Sequence, residues 1–294
     1  MTPAFGRVLT AMVTPFDADG TLDLAAAERV ADHLMRHGND GIVVAGTTGE
    51  SPTVSDHEHG ELLAAVMSAV GGRGPVIAGV GTNHTAHSVE LAGRAARLGA
   101  DGLLLVAPYY SRPSPAGIRE HVGVVARATS VPVMLYDVPS RTGVRLEPAL
   151  YEALRAHETV IAVKDSTADP ARVALLSAQG YDVYSGDEAQ TLGYLAYGGV
   201  GLVSVVAHVA GRELTEMIRL FLAGNHAGAL DLHRRLTPAT TAMMGVPNYG
   251  ATTAKAALEL TRVLDNRRVR GPLIALDEPE VAALRAGLAA SGLL

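Results

Sequence analysis

Lysine is rare in this chain, and one of its two lysines stands where chemistry is possible. Lysine and arginine together number 24, and only Lys164 and Lys255 are lysines. Lys164 directly follows the apolar run 160–163, and burial among apolar groups favours the neutral amine over the ammonium ion. A neutral amine adds to a ketone and forms an iminium, whereas arginine stays protonated. Lys164 therefore predicts Schiff-base chemistry; the alternative interpretation is a strand-end lysine paired with Asp165.

Other side chains that suit such chemistry lie near the ends of further apolar runs. Tyr136 ends the run before that of Lys164. A buried phenol there can shuttle protons, and a barrel-rim aromatic is the alternative. Thr47 and Thr48 offer hydroxyls to a carboxylate, although they equally suit a simple turn. Arg141 stands in a proline-containing loop, and its guanidinium suits either a substrate carboxylate or a surface salt bridge.

Eight short, mostly apolar runs alternate with amphipathic segments of helical length. Runs that are apolar on both faces are typical of parallel strands, because helices cover both sides of the sheet. The runs are residues 8–13, 41–46, 76–80, 102–108, 132–138, 160–166, 182–186 and 201–206. In a closed barrel the carboxyl ends of such strands form one rim, where reactive side chains gather. The pattern predicts an α/β fold, a (β/α)8 TIM barrel with its site at that rim.

Helix signals between the runs favour the same architecture. Ser55 and Glu58 have capping-box spacing, and Ser114 followed by Pro115 marks another helix start. An open doubly wound sheet is the alternative fold. It is disfavoured because neither a full phosphate-binding glycine fingerprint nor a Gly-Lys-Ser/Thr loop occurs in the sequence.

The alternation stops near Gly224. We therefore predict a barrel catalytic domain over residues 1–224 and a C-terminal helical extension over residues 225–294. Helices are expected at 227–236, 251–264 and 280–290. Lys255 lies in this extension, between Thr253 and Ala257, and we assign it a structural or surface role.

Composition and charge narrow the class of function. The chain is 48% hydrophobic and 18% charged, with a formal net charge of −6. This balance favours a buried core and disfavours a nucleic-acid partner. We recognise neither a signal peptide nor a membrane-length apolar segment. The absence of cysteine excludes disulfides and thiolate metal sites, and His57 and His59 face different sides of a helix, so no metal site is expected. We expect a cytoplasmic protein.

Five motifs in combination resemble one known family. In chain order they are Gly46-Thr-Thr-Gly-Glu-Ser51, Pro108-Tyr-Tyr, Tyr136-x-Val-Pro-x-Arg-Thr-Gly143, the strand-end Lys164 and Ser185-Gly-Asp187. From about Thr10 to the last helix the chain is similar to members of the dihydrodipicolinate synthase / N-acetylneuraminate lyase family. The resemblance implies a (β/α)8 barrel with a C-terminal helical part, usually a homotetramer, that acts on small molecules without a cofactor.

The resemblance also implies a role for each matching residue of the reactive centre. Lys164 would form a Schiff base with pyruvate, and Tyr136 would relay protons to and from it. Thr47 and Tyr110 would complete the relay, with Tyr110 crossing the dimer interface into the neighbouring subunit's site.

The remaining matches concern substrate binding. The resemblance implies that Thr48 holds the pyruvate carboxylate and that the backbones of Gly186 and Val203 line its pocket. Arg141 favours the branch of the family whose aldehyde is aspartate semialdehyde, because it would bind that substrate's carboxylate. The alternatives are another pyruvate aldolase, acting on N-acetylneuraminate, a 2-keto-3-deoxy-sugar acid or 4-hydroxy-2-oxoglutarate, and a non-catalytic keto-acid sensor.

The chain departs from the family pattern in two places. Asp137 stands where many members have Asn, and we expect its side chain to point away from the site with little effect. The lysine feedback site of the family is matched only in part: Asp56 and His87 stand where the lysine-sensitive pattern has His and Glu. The matching residues are Ser51, His59, Asn83 and Tyr109. We therefore expect weak or absent inhibition by lysine.

Overall fold

A computed structural model describes residues 3–294 of the chain. In this part of the chain eight strands pair in parallel, each with the next, and the eighth pairs with the first. The strands are β1 Val8–Ala11, β2 Gly41–Val44, β3 Val76–Gly79, β4 Gly102–Val106, β5 Val133–Asp137, β6 Val160–Asp165, β7 Asp182–Ser185 and β8 Gly201–Ser204. The predicted (β/α)8 barrel is confirmed.

Helices connect the strands and form the outer layer. Those of the barrel are α1 Leu24–Arg36, α2 Asp56–Val70, α3 Thr85–Arg97, α4 Pro115–Arg127, α5 Pro139–Thr142, α6 Pro148–Leu154, α7 Ala171–Ala178, α8 Thr191–Ala196 and α9 Ala207–Leu222. The C-terminal part contains α10 His226–Met244, α11 Ala251–Leu260 and α12 Glu278–Ala290.

Side-chain alternation along the strands produces two apolar layers. Leu9, Val43 and Ile77 point into the barrel and belong to a cluster that fills its interior. Val8 and Ile42, their immediate neighbours in sequence, belong to the larger core between the sheet and the helices. Because successive strand residues face opposite sides, one of two adjacent residues at a strand end faces the barrel interior and the other faces the helices.

The local signals for helix starts are confirmed. Ser55 Oγ accepts a hydrogen bond from the Glu58 amide, and the Glu58 carboxylate accepts one from the Ser55 amide at 2.9 Å. Ser114 Oγ accepts a hydrogen bond from the Gly117 amide at the start of α4, and Pro115 occupies the first helical position. Both caps satisfy amide groups that the first helical turn leaves without an intrahelical partner.

The helices of the C-terminal part are present, but their predicted bounds were imprecise. The prediction of 227–236 was too short, because α10 continues through Pro238 to Met244. The loss of one backbone hydrogen bond at that proline is offset by the burial of Ala239 and Met243 beyond it. The second helix ends at Leu260, not residue 264, and the third begins at residue 278, where Asp277 caps it.

A buried ion pair joins the C-terminal part to the barrel. Lys255 in α11 is fully buried, and its Nζ lies 2.5 Å from Oε1 of Glu50 in the loop after β2. Nζ also donates to the Arg268 carbonyl at 2.7 Å and lies 4.2 Å from the centre of the Phe16 ring. The structural role assigned to Lys255 is thus confirmed, and the surface alternative was wrong because the side chain is fully buried. Its carboxylate partner is 205 residues away in sequence, so no local pattern indicates the pair.

This ion pair connects the C-terminal part to the loop that carries Thr47 and Thr48. Breaking a buried pair leaves an uncompensated charge and typically costs about 3–5 kcal/mol. The division of the chain at residue 224 into two domains stays a prediction. Within residues 3–294, no helix has the length and apolar character needed to cross a bilayer.

Candidate active site

Tyr136 and Lys164 lie side by side at the carboxyl rim of the barrel. They are register partners on β5 and β6, and each is only 6% exposed. Lys164 Nζ lies 4.3 Å from the centre of the Tyr136 ring. No ion pair or hydrogen bond to Nζ is formed by any residue within 3–294, in contrast to Lys255. The alternative pairing with Asp165 does not occur, because Asp165 points to the other face of the sheet.

A cavity of about 470 Å³ opens above this pair. Thr47 and Thr48 line it from the loop after β2, with Thr48 buried and Thr47 exposed. The loop is tightly folded: Gly49 packs so closely that an added Cβ would lie 3.1 Å from the Met12 carbonyl oxygen. Glu50, held by Lys255, follows with a left-handed backbone, φ 55°. The position of the two threonines therefore depends on a contact with the C-terminal part.

The opposite wall of the cavity comes from the ends of β7 and β8. Gly186 and Val203 both line it. An added Cβ at Gly186 would lie 2.0 Å from Ser166 Oγ and 3.2 Å from Lys164 Cε. A side chain at this position would collide first with Ser166 and would also crowd Lys164, so glycine lets the two strand ends lie close together.

Arg141 borders the cavity from α5 and is exposed. Its guanidinium lies 5.2 Å from the centre of the Tyr249 ring, a cation–π contact with the segment between α10 and α11. No carboxylate within residues 3–294 pairs with Arg141, so the surface salt bridge considered as its alternative is not formed. Tyr249 was missed by the sequence analysis, since its contact with Arg141 has no local sequence signal.

Tyr110 is separate from the other predicted site residues. It stands in the loop after β4 with a left-handed backbone, φ 69°, and is 91% exposed. It does not line the cavity that contains Lys164. The structure therefore brings together seven of the predicted residues and leaves Tyr110 outside. The seven are Lys164, Tyr136, Thr47, Thr48, Arg141, Gly186 and Val203.

A second cavity of about 400 Å³ adjoins the first, and Thr47, Tyr136 and Arg141 line both. Asp56 Oδ1 and His87 Nε2 lie 2.9 Å apart on its wall. The six residues compared with the lysine feedback pattern all line this cavity: Ser51, Asp56, His59, Asn83, His87 and Tyr109.

The outer face of β5 and β6 carries a buried group of charges. Asp137 and Asp165 follow Tyr136 and Lys164 and point to the helix layer, where Arg172 of α7 contacts both. The expectation that Asp137 points away from the site is confirmed. Burial raises the pKa of Asp137 to about 6, an effect opposed by Arg172 and reinforced by Asp165.

A closed (β/α)8 barrel whose carboxyl rim carries a buried lysine, without a carboxylate partner among residues 3–294, has the architecture of a barrel enzyme. The model of the dihydrodipicolinate synthetase family matches residues 4–291 of the chain. The chain belongs to the dihydrodipicolinate synthetase family.

Individual relatives agree with this assignment. The chain is 51% identical to 4-hydroxy-tetrahydrodipicolinate synthase of Acidothermus cellulolyticus, over 98% of this chain and 93% of the relative. It is 50% identical to the enzyme of that name from Kineococcus radiotolerans, over 98% and 94%. A dihydrodipicolinate synthase structure from Cyanidioschyzon merolae with lysine bound is similar with a TM-score of 0.96 and 38% identity, covering 100% of both chains. A structure from Bacillus anthracis has a TM-score of 0.94 and 39% identity, covering 98% and 99%.

We predict that Asp137→Asn stabilises the protein in a pH-dependent way. The carboxyl has a pKa of 3.8 when unfolded and about 6 when folded, so its favourable contribution is complete below pH 4 and is lost as the pH rises through 6. Asparagine does not ionise. Its advantage should therefore be negligible near pH 4 and reach at most on the order of 3 kcal/mol at pH 8, at about 1.4 kcal/mol per pKa unit. Thermal unfolding at both pH values measures it.

Asp169→Asn serves as the control for this prediction. Arg145 lies 2.6 Å from Asp169 and lowers the pKa of that half-exposed carboxyl. Its loss should slightly lower the melting temperature at pH 8 and nearly as much at pH 4, because a lowered pKa preserves the contribution until the pH falls below about 3.8. An equal effect of Asp137→Asn at both pH values would contradict the raised pKa.

Proposed function

We propose that this chain is a 4-hydroxy-tetrahydrodipicolinate synthase, which condenses pyruvate with L-aspartate 4-semialdehyde through a Schiff base on Lys164. The observation that carries the proposal is the Lys164 amine, which is buried beside Tyr136 under a cavity of about 470 Å³ and has no carboxylate partner in the described part of the chain, residues 3–294. An amine that no carboxylate holds is free to approach the carbonyl carbon of a keto acid in the cavity. The relatives near 50% identity that carry this enzyme's name support the same reaction.

The first chemical steps use Lys164 and Tyr136. The amine adds to the ketone carbon of pyruvate, and the carbinolamine loses water when the Tyr136 phenol supplies a proton to the departing hydroxyl. The resulting iminium withdraws electrons, so a proton leaves the pyruvate methyl group and an enamine forms. The enamine carbon attacks the aldehyde carbon of the second substrate. The amino group of the condensed product then displaces Lys164 by transimination as the ring closes.

The cavity walls suit the substrate carboxylates. Thr48 offers a hydroxyl to the pyruvate carboxylate, and the backbones of Gly186 and Val203 close the pocket around it. Arg141 carries a guanidinium with no carboxylate partner among residues 3–294. It can therefore donate two hydrogen bonds to the carboxylate of aspartate semialdehyde.

The proton relay needs a second copy of the chain. We propose that Thr47 passes protons between Tyr136 and the Tyr110 of a neighbouring subunit in a homotetramer. The exposure of Tyr110 and its position outside its own cavity support this role. We further propose that the enzyme acts in the cytoplasm and contacts neither membrane nor nucleic acid.

Borohydride reduction in the presence of pyruvate tests the Schiff base. Reduction of the imine should leave a stable adduct on Lys164, detected by peptide mass mapping. The chain provides its own control, because its other lysine, Lys255, is fully buried and paired with Glu50 and should stay unlabelled. A Lys164→Arg variant should lose the label. An unlabelled wild-type protein would argue for a non-catalytic keto-acid sensor.

Arg141→Ala should affect only the second substrate. A charge-assisted hydrogen bond contributes about 1.5–3 kcal/mol, so kcat/KM for aspartate semialdehyde should fall by roughly 10- to 150-fold. The rate of imine formation with pyruvate and turnover of an uncharged aldehyde of similar size should change little. If the variant lost both aldehydes equally, or if the wild type preferred a sugar aldehyde, another pyruvate aldolase activity would be indicated.

Lysine should inhibit this enzyme weakly or not at all. Asp56 is paired with His87 in the second cavity, and the glutamate that would bind an added amino group is missing. Titration with lysine up to the millimolar range checks this, with the Cyanidioschyzon merolae protein, which has been observed with lysine bound, as a comparison. The double variant Asp56→His, His87→Glu should gain inhibition. Strong inhibition of the wild type at sub-millimolar lysine would refute the expectation.

A further inference from the structure

The two reactive side chains are backed by an acidic residue each. Asp137 and Asp165 are register partners, one position beyond the partners Tyr136 and Lys164. Because successive side chains of a strand face opposite sides, the tyrosine and lysine point toward the cavity and the two carboxylates point toward the helices. Whatever fixes the carboxylates therefore also fixes the orientation of the reactive pair.

One arginine bridges these carboxylates. Arg172 of α7 is buried, with Nη2 3.2 Å from Asp137 Oδ2 and Nε 3.4 Å from Asp165 Oδ2. Its Nη2 also donates a hydrogen bond to the Leu146 carbonyl. Neither carboxylate contact has hydrogen-bond geometry, so the bridge consists of two ion pairs, and the planar guanidinium keeps its positive charge at a fixed place between the carboxylates.

Neutral donors complete the attachment of each carboxylate. Asp165 Oδ1 accepts hydrogen bonds from the Tyr194 hydroxyl at 2.7 Å and from the Thr167 amide and hydroxyl at 2.9 and 2.6 Å. Asp137 Oδ2 accepts from the Leu146 amide at 3.2 Å and from the Tyr151 hydroxyl at 3.3 Å. The cluster thus ties the ends of β5 and β6 to α6, α7 and α8.

The strand pair itself is irregular just before the site. Val133 pairs with Val160, whereas Met134 pairs with Ala162, so one residue of β6 is extra. Such a bulge leaves a residue unpaired and re-aims the side chains that follow. A shift of one residue would exchange the faces of Lys164 and Asp165. The bridge by Arg172 lies beyond the bulge, where the shifted register has to be maintained for Tyr136 to meet Lys164.

The cluster is poorly suited to a role in stability alone. It places two carboxylates and one guanidinium in a buried site where four polar atoms have no hydrogen-bond partner among residues 3–294: Asp137 Oδ1, Asp165 Oδ2, Arg172 Nε and Arg172 Nη1. Removing charges from water is costly, and apolar residues of similar volume often stabilise a core equally well. A bridge that sets geometry at the site accounts for this arrangement.

We propose that Arg172 is a positioning residue for Schiff-base formation, which by bridging Asp137 and Asp165 behind the sheet holds Tyr136 and Lys164 in reactive contact in front of it. The proposal rests on the proposed function of Lys164. Arg172 touches no reacting atom, so its effect is on the rate at which the imine forms and not on the identity of the labelled residue. Small misplacements of reacting groups can slow a reaction about a hundredfold.

The test measures the rate of imine formation at Lys164 by borohydride trapping at saturating pyruvate, in variants whose circular dichroism matches the wild type. Lysine retains the charge but cannot bridge both carboxylates in one plane. Arg172→Lys should therefore slow imine formation by about tenfold to a hundredfold, with less than about threefold change in half-saturating pyruvate and with Lys164 still the labelled residue. Arg172→Gln, which also removes the positive charge, should slow imine formation more than Arg172→Lys does.

Arg267→Lys is the matched control. Arg267 also bridges two carboxylates, Glu259 and Glu278, both at 2.7 Å, but in the C-terminal part and outside the cavity. It should lower thermal stability and leave the imine rate unchanged. If Arg172→Lys does not fold, the double variant Asp137→Asn, Arg172→Gln takes its place in the measurement. That variant removes one negative and one positive charge together.

The outcomes separate the two proposals. A folded Arg172→Lys or double variant that forms the imine at the wild-type rate would refute the positioning role while leaving the Schiff base intact. Equal slowing in Arg267→Lys would also refute it, because the effect would then follow from lost stability. An unlabelled wild-type Lys164 would overturn the proposed function itself, and the role of Arg172 with it.

Discussion

The presence or absence of a carboxylate partner for a buried amine separates the two lysines of the chain. Lys255 Nζ lies 2.5 Å from the Glu50 carboxylate and donates a hydrogen bond to a backbone carbonyl, so its role is structural. Burial lowers the pKa of Lys255 to about 8, and Glu50 opposes that shift. Lys164 is nearly as buried but has no carboxylate partner within residues 3–294, and it lies against the ring of Tyr136. The same residue type therefore serves packing in one place and, in the function proposed above, supplies the nucleophile in the other.

The alternation of side chains along a strand lets one sequence segment place reactive groups in the cavity and charged groups in the helix layer. On β5 and β6 the cavity receives a phenol and an amine, and the next residues deliver two carboxylates to the helix layer. Negative charge thus lies close in sequence to Lys164 while the sheet separates it from the amine. Were Asp165 on the inner face, it would pair with Lys164 and favour the ammonium ion, which cannot attack a carbonyl.

Local patterns were sufficient to predict the barrel and most of the site. Apolar runs indicate buried strands regardless of distant residues, and the Ser55 and Ser114 caps depend only on neighbours three positions away. The features that were missed depend on contacts between distant segments. Tyr249 meets Arg141 and Lys255 meets Glu50 only after the barrel has closed. The length of α10 was underestimated for a similar reason, since burial beyond Pro238 offsets a proline that locally disfavours helix.

The position of Tyr110 argues that a single chain holds an incomplete relay. A tyrosine that is 91% exposed, on a non-glycine residue in the left-handed region, is unfavourable twice over: its ring leaves apolar surface in water, and its backbone adopts a sparsely populated conformation. A second copy that buried the ring would remove the first cost, and the new contacts would offset the second. The second cavity, which Tyr109 lines and which shares Thr47, Tyr136 and Arg141 with the first, lies beside this loop. Assembly at that surface would therefore act both on the proposed proton relay and on Arg141, the arginine proposed to bind the second substrate.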